Sequence, residues 1–370
     1  MTRLQDLGEF NFIDSINDNV IHDPSTVRVG IGDDCAVLRP QAHMETLVST
    51  DTMVEGVHFD FSYMSGYDVG YRLCAANISD IAAMGGIPRH ILVNVASSGH
   101  TASELLQDIY RGMTSLCQKH KVNLVGGDTV HTEGPMVLTL TVLGESPSGH
   151  ACLRSGAQVG DLIFVTHDLG LAQTGLEVLL REQAIEAGAQ AIHDEGAAEN
   201  GNLSSIHGET PSMNDREGAQ LLVKYPEACR THKRPEPQVA LGQALAAIPV
   251  HSLNDISDGL SSELMEIAKA SQVSMEIEEA LIPLHEETKR WAQTQGKRPS
   301  HYALYGGEDF QLVGTAGPEA RSQLEALEGV HIIGRVVDKT DRSSVLLETL
   351  EGTLESIQAR GYNHFKGDES

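Results

Sequence analysis

Short apolar segments that end in small residues and a carboxylate recur along this chain, and this pattern constrains its fold most strongly. The first segment, V-G-I-G-D-D, reaches Asp33 and Asp34, and the second, L-V-S-T-D, reaches Asp51. Four further segments have the same form: N-I-S-D at Asp80, V-G-G-D at Asp128, D-I-S-D at Asp258 and G-G-E-D at Asp309. Side chains lose their burial constraint where a strand ends. The pattern therefore indicates that these carboxylates are ligands and not core residues.

A single aspartate after Gly or Ser is also ordinary turn chemistry, so each segment taken alone is compatible with a simple turn. Six such segments in one chain favour convergence. Two carboxylates about 4 Å apart repel by about 4 kcal/mol at an effective dielectric constant near 20. Three or four such pairs would exceed a typical stability of about 5 to 15 kcal/mol. Cations would then have to be present, and hard oxygen ligands without a Cys or His cluster indicate Mg²⁺.

Asp80 falls on a predicted helix over residues 68–84, with Asp68 as the N-cap and Gly85-Gly86 as the stop signal. Its apolar face repeats at helical spacing through Val69, Leu73, Ala76 and Asp80. Asp80 should therefore be buried. A buried carboxylate needs a partner. A metal cluster is one such partner, and an ion pair with Arg72 or Arg89 is the alternative.

The composition excludes several classes of partner. The net charge is −26, so no basic stripe is available to bind nucleic acid or an anionic membrane. The five cysteines are odd in number and never form a C-x-x-C pair, which is typical of reduced intracellular proteins. No segment approaches the roughly 18 apolar residues of a membrane span. We therefore expect a cytoplasmic protein.

The length of 370 residues predicts two domains. We place an N-terminal α/β domain at residues 1–148 and a C-terminal α/β domain at residues 149–370, because E-S-P-S-G-H interrupts the strand pattern between them. Residues 184–217 are rich in Ala, Gly, Glu, Asn and Ser without a sustained period. This composition predicts a flexible or loosely helical insertion.

Several common catalytic motifs are missing from the sequence. It contains no G-x-x-x-x-G-K-[ST] phosphate loop, no complete dinucleotide fingerprint, no protein-kinase motif set and no G-x-S-x-G elbow. What remains is a metal–carboxylate site with Gly-rich turns. Such a site suits phosphoryl transfer, in which positioning and charge neutralisation carry most of the catalysis.

The motifs, taken in order, resemble one known family. G-I-G-D-D, S-T-D-T-M-V-E-G-V-H-F, N-I-S-D-I-A-A-M-G-G-I-P, G-G-D-T, R-S-G-A, D-I-S-D-G-L and G-G-E-D are similar to the motifs of the thiamine-monophosphate kinases, within the superfamily of aminoimidazole ribonucleotide synthetase. The resemblance covers nearly the whole chain outside residues 184–217.

The resemblance implies in-line transfer of the γ-phosphate of ATP to thiamine monophosphate, which yields thiamine diphosphate and ADP. It also implies several Mg²⁺ ions and a homodimer. The N-terminal sheet would pair with that of the partner subunit to form a barrel, and the C-terminal α/β domain would cover the cleft. Because the acceptor is already an anionic phosphate, no general base is needed.

The resemblance also assigns roles to single residues. Expected metal ligands are Asp34, Ser49, Thr50, Asp51, Asp80, Asp128, Asp255 and Asp258. Among them, Asp51, Asp80 and Asp128 are expected to be catalytic. Expected ATP contacts are Tyr110, Gly127, Asp128, Arg154 and Ser257, and expected contacts to the thiamine substrate are His58 and Glu308. One departure is Ala359, where relatives often carry a Trp against the substrate.

Two other readings remain open from the motifs. A sister ligase would use the same ATP site, although the S-x-D-G-V-G-T-K segment of aminoimidazole ribonucleotide synthetase and the reactive N-terminal Cys of selenophosphate synthetase are both missing here. A metal-dependent phosphatase would share the carboxylates but release inorganic phosphate. Analysis of the products separates these readings.

Overall fold

Two main β-sheets, each with helices packed against it, make up the chain. They are seen in a computed structural model that describes residues 2–7, 9–16, 18–31, 35–198, 221–339 and 345–358. The N-terminal half contributes a four-stranded sheet and the C-terminal half a seven-stranded sheet. The predicted α/β fold is confirmed, and the boundary between residues 148 and 149 stays a prediction.

The elements follow one another along the chain. The N-terminal half contains α1 (Leu4–Leu7), α2 (Glu9–Ile16), β1 (Val27–Val29), β2 (Val37–Leu38), β3 (Met44–Val54), α3 (Gly66–Ala83), β4 (Ile87–Ser97), α4 (Ser103–His120), β5 (Asn123–His131) and β6 (Val137–Pro147). The C-terminal half contains β7 (Leu162–Thr166), α5 (Leu171–Ala198), α6 (Pro226–Lys233), α7 (Val239–Ala246), β8 (Val250–Asp255), α8 (Leu260–Ser271), β9 (Ser274–Glu278), α9 (Glu286–Gln295), α10 (Ser300–Tyr305), β10 (Leu312–Ala316), α11 (Arg321–Glu325), β11 (Val330–Val337), β12 (Val345–Glu348) and β13 (Leu354–Ser356).

The four-stranded sheet has one covered face and one open face. Its strand order is β3-β6-β4-β5, with β4 and β5 parallel and the other neighbours antiparallel. Helix α3 packs on one face, where Leu140 and Val93 are fully buried. On the other face, Val48 is 65% exposed and Val130 is 50% exposed. Within the described residues, the chain thus covers only one of the two faces of this sheet.

Helices α3 and α4 cross with their backbones in contact. A Cβ atom on Gly70 would lie 1.8 Å from the carbonyl oxygen of Ile109, and one on Gly112 would lie 2.0 Å from that of Tyr67. Both positions therefore require glycine, since the obstacle is backbone and not a movable side chain. This close contact fixes the position of α3, the helix that carries Asp80.

The start of α3 differs from the sequence prediction, whereas its end agrees with it. The N-cap of α3 is Ser65, whose side chain accepts the N–H of Asp68, while the Asp68 carboxylate accepts the N–H of Ser65. Asp68 is therefore the third helical residue and not the cap. The N-cap of α4 is Ala102, which makes no side-chain capping hydrogen bond. The predicted stop is confirmed by Gly85, with φ of +66°.

The seven-stranded sheet is mainly antiparallel. Its order is β13-β12-β9-β11-β7-β10-β8, and among these neighbours only β12 and β9 run parallel. Strand β7 is buried along its whole length, as expected for a continuous apolar run with both faces covered. Strand β8 lies at one edge of the sheet. Asp255 lies at the end of that edge strand, close to helix α3 of the other half.

Helix α5 is the longest helix in the described ranges. It extends from Leu171 to Ala198. The predicted insertion at 184–217 thus begins inside a helix, and its residues 199–217 lie outside the described residues. Asp34 and Ala359 also lie outside them. No helix that the structure describes is both long and apolar enough to cross a bilayer.

Glu177 on α5 joins three helices of the C-terminal half. Its carboxylate accepts the Trp291 indole N–H at 2.8 Å, the Tyr302 hydroxyl at 2.7 Å and the Lys297 ammonium at 3.2 Å. Burial raises the pKa of Glu177, but these three donors outweigh burial and lower it below the ordinary value. The ionised carboxylate is thus the form that the fold binds.

We expect Glu177→Gln to lower the melting temperature at neutral pH, because the amide group would face donors with a donor of its own. A hydrogen bond to a charged group contributes about 1.5 to 3 kcal/mol. Since the folded pKa is depressed, the difference from wild type should be largest above the unfolded pKa and should shrink as the pH falls through the folded pKa. Thermal denaturation from pH 3 to pH 8 measures this. A difference that is constant with pH would contradict it.

Candidate active site

Asp51 and Asp80 form the centre of the candidate site. The backbone N–H of Asp51 on β3 donates to Asn77 Oδ1 on α3 at 3.2 Å. Two residues earlier and on the same face of the strand, Ser49 Oγ donates to Asp80 Oδ2 at 2.5 Å. Strand and helix therefore hold the two carboxylates as neighbours on the covered face of the sheet. The apolar stripe of α3 correctly predicted that Asp80 points inward.

The position of Asp51 along its strand differs from the prediction. The sequence placed it where a strand stops, but β3 continues to Val54. The strand continues because β6 pairs with β3 in unbroken register from Met44 to Val54. Pairing with β6 thus holds the backbone both before and after Asp51.

A third carboxylate reaches this centre from the C-terminal half. Asp255 is 3% exposed and accepts the hydroxyl hydrogen bond of Ser79 at 2.7 Å. Because Ser79 immediately precedes Asp80, the N-I-S-D and D-I-S-D segments of the sequence meet here. The site is therefore built from both halves of the chain.

Burial acts on all three carboxylates, and the charge of Asp80 also acts on Asp51 and Asp255. Burial and the charge on Asp80 raise the pKa of Asp51 to about 6. Burial raises the pKa of Asp80, although Ser49 and Arg154 act in the opposite direction. Burial and the charge on Asp80 likewise raise the pKa of Asp255. The site concentrates more negative charge than its protein partners neutralise.

The alternative partners proposed for Asp80 are engaged elsewhere. Arg72 pairs with Glu308, and Arg89 pairs with Glu145 at 2.6 Å. The ion-pair alternative is therefore wrong for both arginines. Within the described residues, no group of three or more His, Cys, Asp or Glu side chains is arranged to hold a metal ion by itself. The carboxylates are linked pairwise through Asp80.

Asp128 and Thr50 are not brought to this centre within one chain. Asp51, Leu140, Val93 and Gly127 occupy one row across the sheet. Asp128 lies in the next row, so its side chain points to the open face, about 14 Å from Asp51 across three strand spacings. Thr50 also faces that side, where its hydroxyl donates to the Leu140 carbonyl at 3.0 Å. Convergence of these two residues with Asp51 is thus not seen in the single chain.

A hydrogen-bonded chain connects the residues predicted to bind ATP in the C-terminal half. Arg154 Nε donates to Asn254 Oδ1 at 2.9 Å, and Asn254 Nδ2 donates to Glu263 Oε2 at 2.5 Å. Glu263 Oε1 then accepts the Ser257 hydroxyl at 3.2 Å and the Asp258 N–H at 3.1 Å. Glu263 therefore holds the loop that carries two predicted ligands.

Sequence reasoning missed Glu263 and Asn254. Glu263 lies on α8 at helical spacing with Leu260, Leu264 and Ile267, all fully buried. This is the same signal that identified Asp80, an acidic residue on an apolar stripe, so it was available in the sequence. Burial raises the pKa of Glu263 to about 7.

We expect Glu263→Gln to raise the KM for ATP about tenfold. The new amide would present a donor to Asn254 Nδ2, and a flipped Asn254 would then present a donor to Arg154. A buried donor left without an acceptor costs about 1 to 3 kcal/mol, and about 1.4 kcal/mol corresponds to a tenfold change in affinity. Glu266→Gln on the same helix removes only an exposed ion pair and should change this KM less than about threefold. Equal KM values for the two variants would contradict the expectation.

Two other predicted ATP contacts lie in different surroundings. Tyr110 is only 6% exposed and packs edge-to-face on Phe12 at 5.8 Å between ring centroids. It belongs to the core of the N-terminal half. Gly127 lies where a Cβ atom would be 1.9 Å from the Val93 carbonyl oxygen. This position therefore needs glycine for the pairing of β4 and β5.

The residues predicted to contact the thiamine substrate come from separate segments. His58 follows β3, and its Nδ1 accepts the N–H of Val54 at 3.1 Å. Glu308 follows α10 with φ of +67°, a left-handed conformation that is uncommon outside glycine. Its carboxylate forms an ion pair with Arg72 of α3. Glu308 is thus attached to the same helix that carries Asp80.

Comparison with known proteins identifies relatives along the whole chain. Residues 32–146 match the model of the AIR synthase related protein N-terminal domain, and residues 158–346 match that of the C-terminal domain. The thiamine-monophosphate kinase of Bacillus subtilis (strain 168) is 40% identical over 97% of this chain and 100% of its own length. The thiamine-monophosphate kinase of Escherichia coli (strain K12) is 31% identical over 97% of this chain and 98% of its own length.

Solved structures agree with these sequence matches. The thiamine-monophosphate kinase from Stenotrophomonas maltophilia K279a superposes with a TM-score of 0.73 at 30% identity, and covers 92% of this chain and 96% of its own. A structure described as AaThiL complexed with AMPPCP and TMP superposes with a TM-score of 0.70 at 27% identity over 99% of both chains. The chain therefore belongs to the thiamine-monophosphate kinase family of the AIR synthase related proteins.

Proposed function

We propose that this chain is an ATP-dependent kinase that phosphorylates thiamine monophosphate to thiamine diphosphate, in the biosynthesis of that cofactor. The observation that carries the proposal is the meeting of Asp51, Asp80 and Asp255, three clustered carboxylates from both halves of the chain. The relative bound to AMPPCP and TMP supports it, since those ligands are an ATP analogue and a candidate acceptor.

The residues of this centre fit magnesium. Asp51, Asp80 and Asp255 with the Ser49 hydroxyl supply only hard oxygen donors, and all three carboxylates have raised pKa values. Arg154 acts on Asp80 and Asp255, but it also pairs with Glu266 at 2.6 Å, so its charge is shared. Because no three carboxylates among the described residues are arranged to hold an ion by themselves, these residues would hold Mg²⁺ together with phosphate oxygens of the substrates. Bound Mg²⁺ neutralises charge between the two polyanionic substrates.

The protein residues divide the remaining work between the two substrates. Arg154, Ser257 and Asp258 are joined through Glu263 and would bind the nucleotide. His58 and Glu308 would bind the thiamine portion, with the negative Glu308 suited to a cationic ring. The acceptor oxygen belongs to a phosphate and is already anionic, so the site needs orientation and not a base.

A homodimer is part of the proposal. The open face of the four-stranded sheet exposes Val48 and Val130, and a second copy of the sheet would cover both. Thr50 and Asp128 point to this face, so pairing of the two sheets would enclose these predicted ligands. Light scattering of the purified chain should give twice the monomer mass of 39.9 kDa. A monomer at micromolar concentration would contradict this part.

A cytoplasmic location also belongs to the proposal. Cys35, Cys74, Cys117, Cys152 and Cys229 are all free thiols in the structure. Free thiols in this number suit a reducing compartment.

The decisive experiment identifies the products. The chain is incubated with ATP, Mg²⁺ and thiamine monophosphate, and ADP and thiamine diphosphate are quantified by chromatography. A kinase yields the two products in equal amounts and depends on both substrates. Release of inorganic phosphate without thiamine diphosphate would identify a phosphatase and overturn the proposal.

A further inference from the structure

Arg72 is a buried cation that connects the two halves of the chain. It lies on α3, its side chain is 2% exposed, and its Nη2 pairs with Glu308 Oε2. Its Nη1 lies 3.1 Å from His232 Nε2 on α6. Burial lowers the pKa of Arg72 to about 10, so it remains charged at neutral pH. A charge buried this deeply is retained only with partners in place.

The contact with Arg72 fixes the protonation state of His232. A guanidinium group has donors only, so His232 Nε2 must accept, and the ring proton lies on Nδ1. That Nδ1 lies 4.0 Å from Glu308 Oε2. Burial, then the charge of Arg72, holds the pKa of His232 well below its ordinary value. His232 is therefore a neutral acceptor that orients Arg72.

The backbone around Glu308 is fixed as firmly as its side chain. Its N–H donates to the Ser257 carbonyl at 2.7 Å. The next residue, Asp309, accepts the N–H groups of Gly170 at 2.5 Å and Ala172 at 3.1 Å. The Glu308 side chain nevertheless remains 32% exposed. It is a carboxylate held in one orientation with access for a ligand.

We propose that Arg72 and His232 are positioning residues that orient the Glu308 carboxylate toward the thiamine substrate. The proposal rests on the function proposed above, which makes Glu308 a substrate contact. The ion pair uses Oε2, so Oε1 is the oxygen offered to the substrate. Because Arg72 and Asp80 lie eight residues apart on α3, about 12 Å along its axis, one helix sets the separation between the phosphate-transferring carboxylates and the substrate-binding carboxylate.

The first test separates the two substrates. Arg72→Gln should raise the KM for thiamine monophosphate at least tenfold and leave the KM for ATP within twofold. Arg89→Gln is the matched control, since it removes a partly buried arginine from an ion pair with Glu145 outside the site, and it should change neither constant. Equal rises in both constants for Arg72→Gln would indicate a merely structural role and overturn the proposal.

The second test uses His232 and does not require Arg72→Gln to fold. His232→Gln places an amide oxygen near the position of Nε2 and should keep the KM for thiamine monophosphate within threefold of wild type. His232→Leu has no acceptor and should raise it about tenfold. The KM for ATP should stay constant in both. Equal KM values of the two variants for thiamine monophosphate would contradict a role for His232 as the acceptor of the Arg72 hydrogen bond.

The third test asks whether Arg72 acts through Glu308. The KM of the double variant Arg72→Gln/Glu308→Gln for thiamine monophosphate should be no higher than that of Glu308→Gln alone. Multiplied effects would mean that Arg72 acts independently, which overturns the proposal. Calorimetric measurement of thiamine monophosphate binding distinguishes a failure of this proposal from a failure of the proposed function. Wild-type binding without turnover would overturn the proposed function alone, and the same variants would then be compared by Kd.

Discussion

Replacing Asp51 or Asp80 with asparagine is expected to lower kcat by roughly two to three orders of magnitude, as removal of one preorganised electrostatic group does in other enzymes. Both side chains face the covered side of the sheet and interact directly, since the charge of Asp80 raises the pKa of Asp51. Asparagine retains the shape but loses the charge that would bind magnesium. Steady-state rates at saturating ATP, acceptor and Mg²⁺ measure the effect.

The same variants should fold normally. Asp51→Asn removes a charge that repels Asp80, so without Mg²⁺ its melting temperature should equal or exceed that of wild type. Added Mg²⁺ should raise the melting temperature of wild type more than that of either variant. Asp161→Asn is the control, because Asp161 is 2% exposed and pairs with His251 at the opposite end of β8 from Asp255. Near-wild-type turnover in both site variants would refute the carboxylate centre.

Gly70→Ala is expected to cost about 3 kcal/mol of stability or more, the upper range for overpacking a core. Its new methyl group would lie 1.8 Å from the Ile109 carbonyl oxygen and 2.7 Å from the carbonyl carbon. Helices α3 and α4 would have to separate, because backbone atoms cannot rotate away. Since α3 carries Asp80, activity should fall together with stability. Chemical denaturation measures the free energy of unfolding.

Gly134→Ala is the matched control for this substitution. The nearest atom to its new methyl group would be Thr132 Oγ1 at 3.5 Å, an ordinary contact. We expect a change of less than about 1 kcal/mol there, within the usual range for surface positions. Similar destabilisation by Gly70→Ala and Gly134→Ala would show that the helix crossing tolerates a methyl group.

The sequence predicted the inward position of Asp80 because helical periodicity is a local signal. Its neighbours Val69, Leu73 and Ala76 define the buried face without reference to any distant segment. The position of Asp51 within its strand was not predictable in the same way. The length of β3 depends on pairing with β6, which lies far along the chain.

The face on which Asp128 lies depends on a single irregularity. Ile91 pairs with Leu124, but Leu92 pairs with Gly126, so β5 contains one extra residue at this point. One residue of slip moves every following side chain to the opposite face of a sheet. No pattern in the sequence shows where such a bulge falls.

The residues that pair with Arg72 could not be predicted from the local sequence either. Arg72 lies two turns of helix before Asp80, so an ion pair within α3 was a reasonable alternative. Its partners are Glu308 and His232, which only the docking of the two halves brings near. Sequence patterns identify which carboxylates are unusual, and the tertiary structure decides which cation each one meets.

The eight-residue spacing between Arg72 and Asp80 limits how relatives of this chain can vary in length. One inserted or deleted residue between them would rotate Asp80 by about 100° relative to Arg72 and shift it by about 1.5 Å. Either change would turn one of the two side chains away from its partners. Natural length variation should therefore collect in the connections outside α3, while the stretch from Arg72 to Asp80 keeps a constant number of residues.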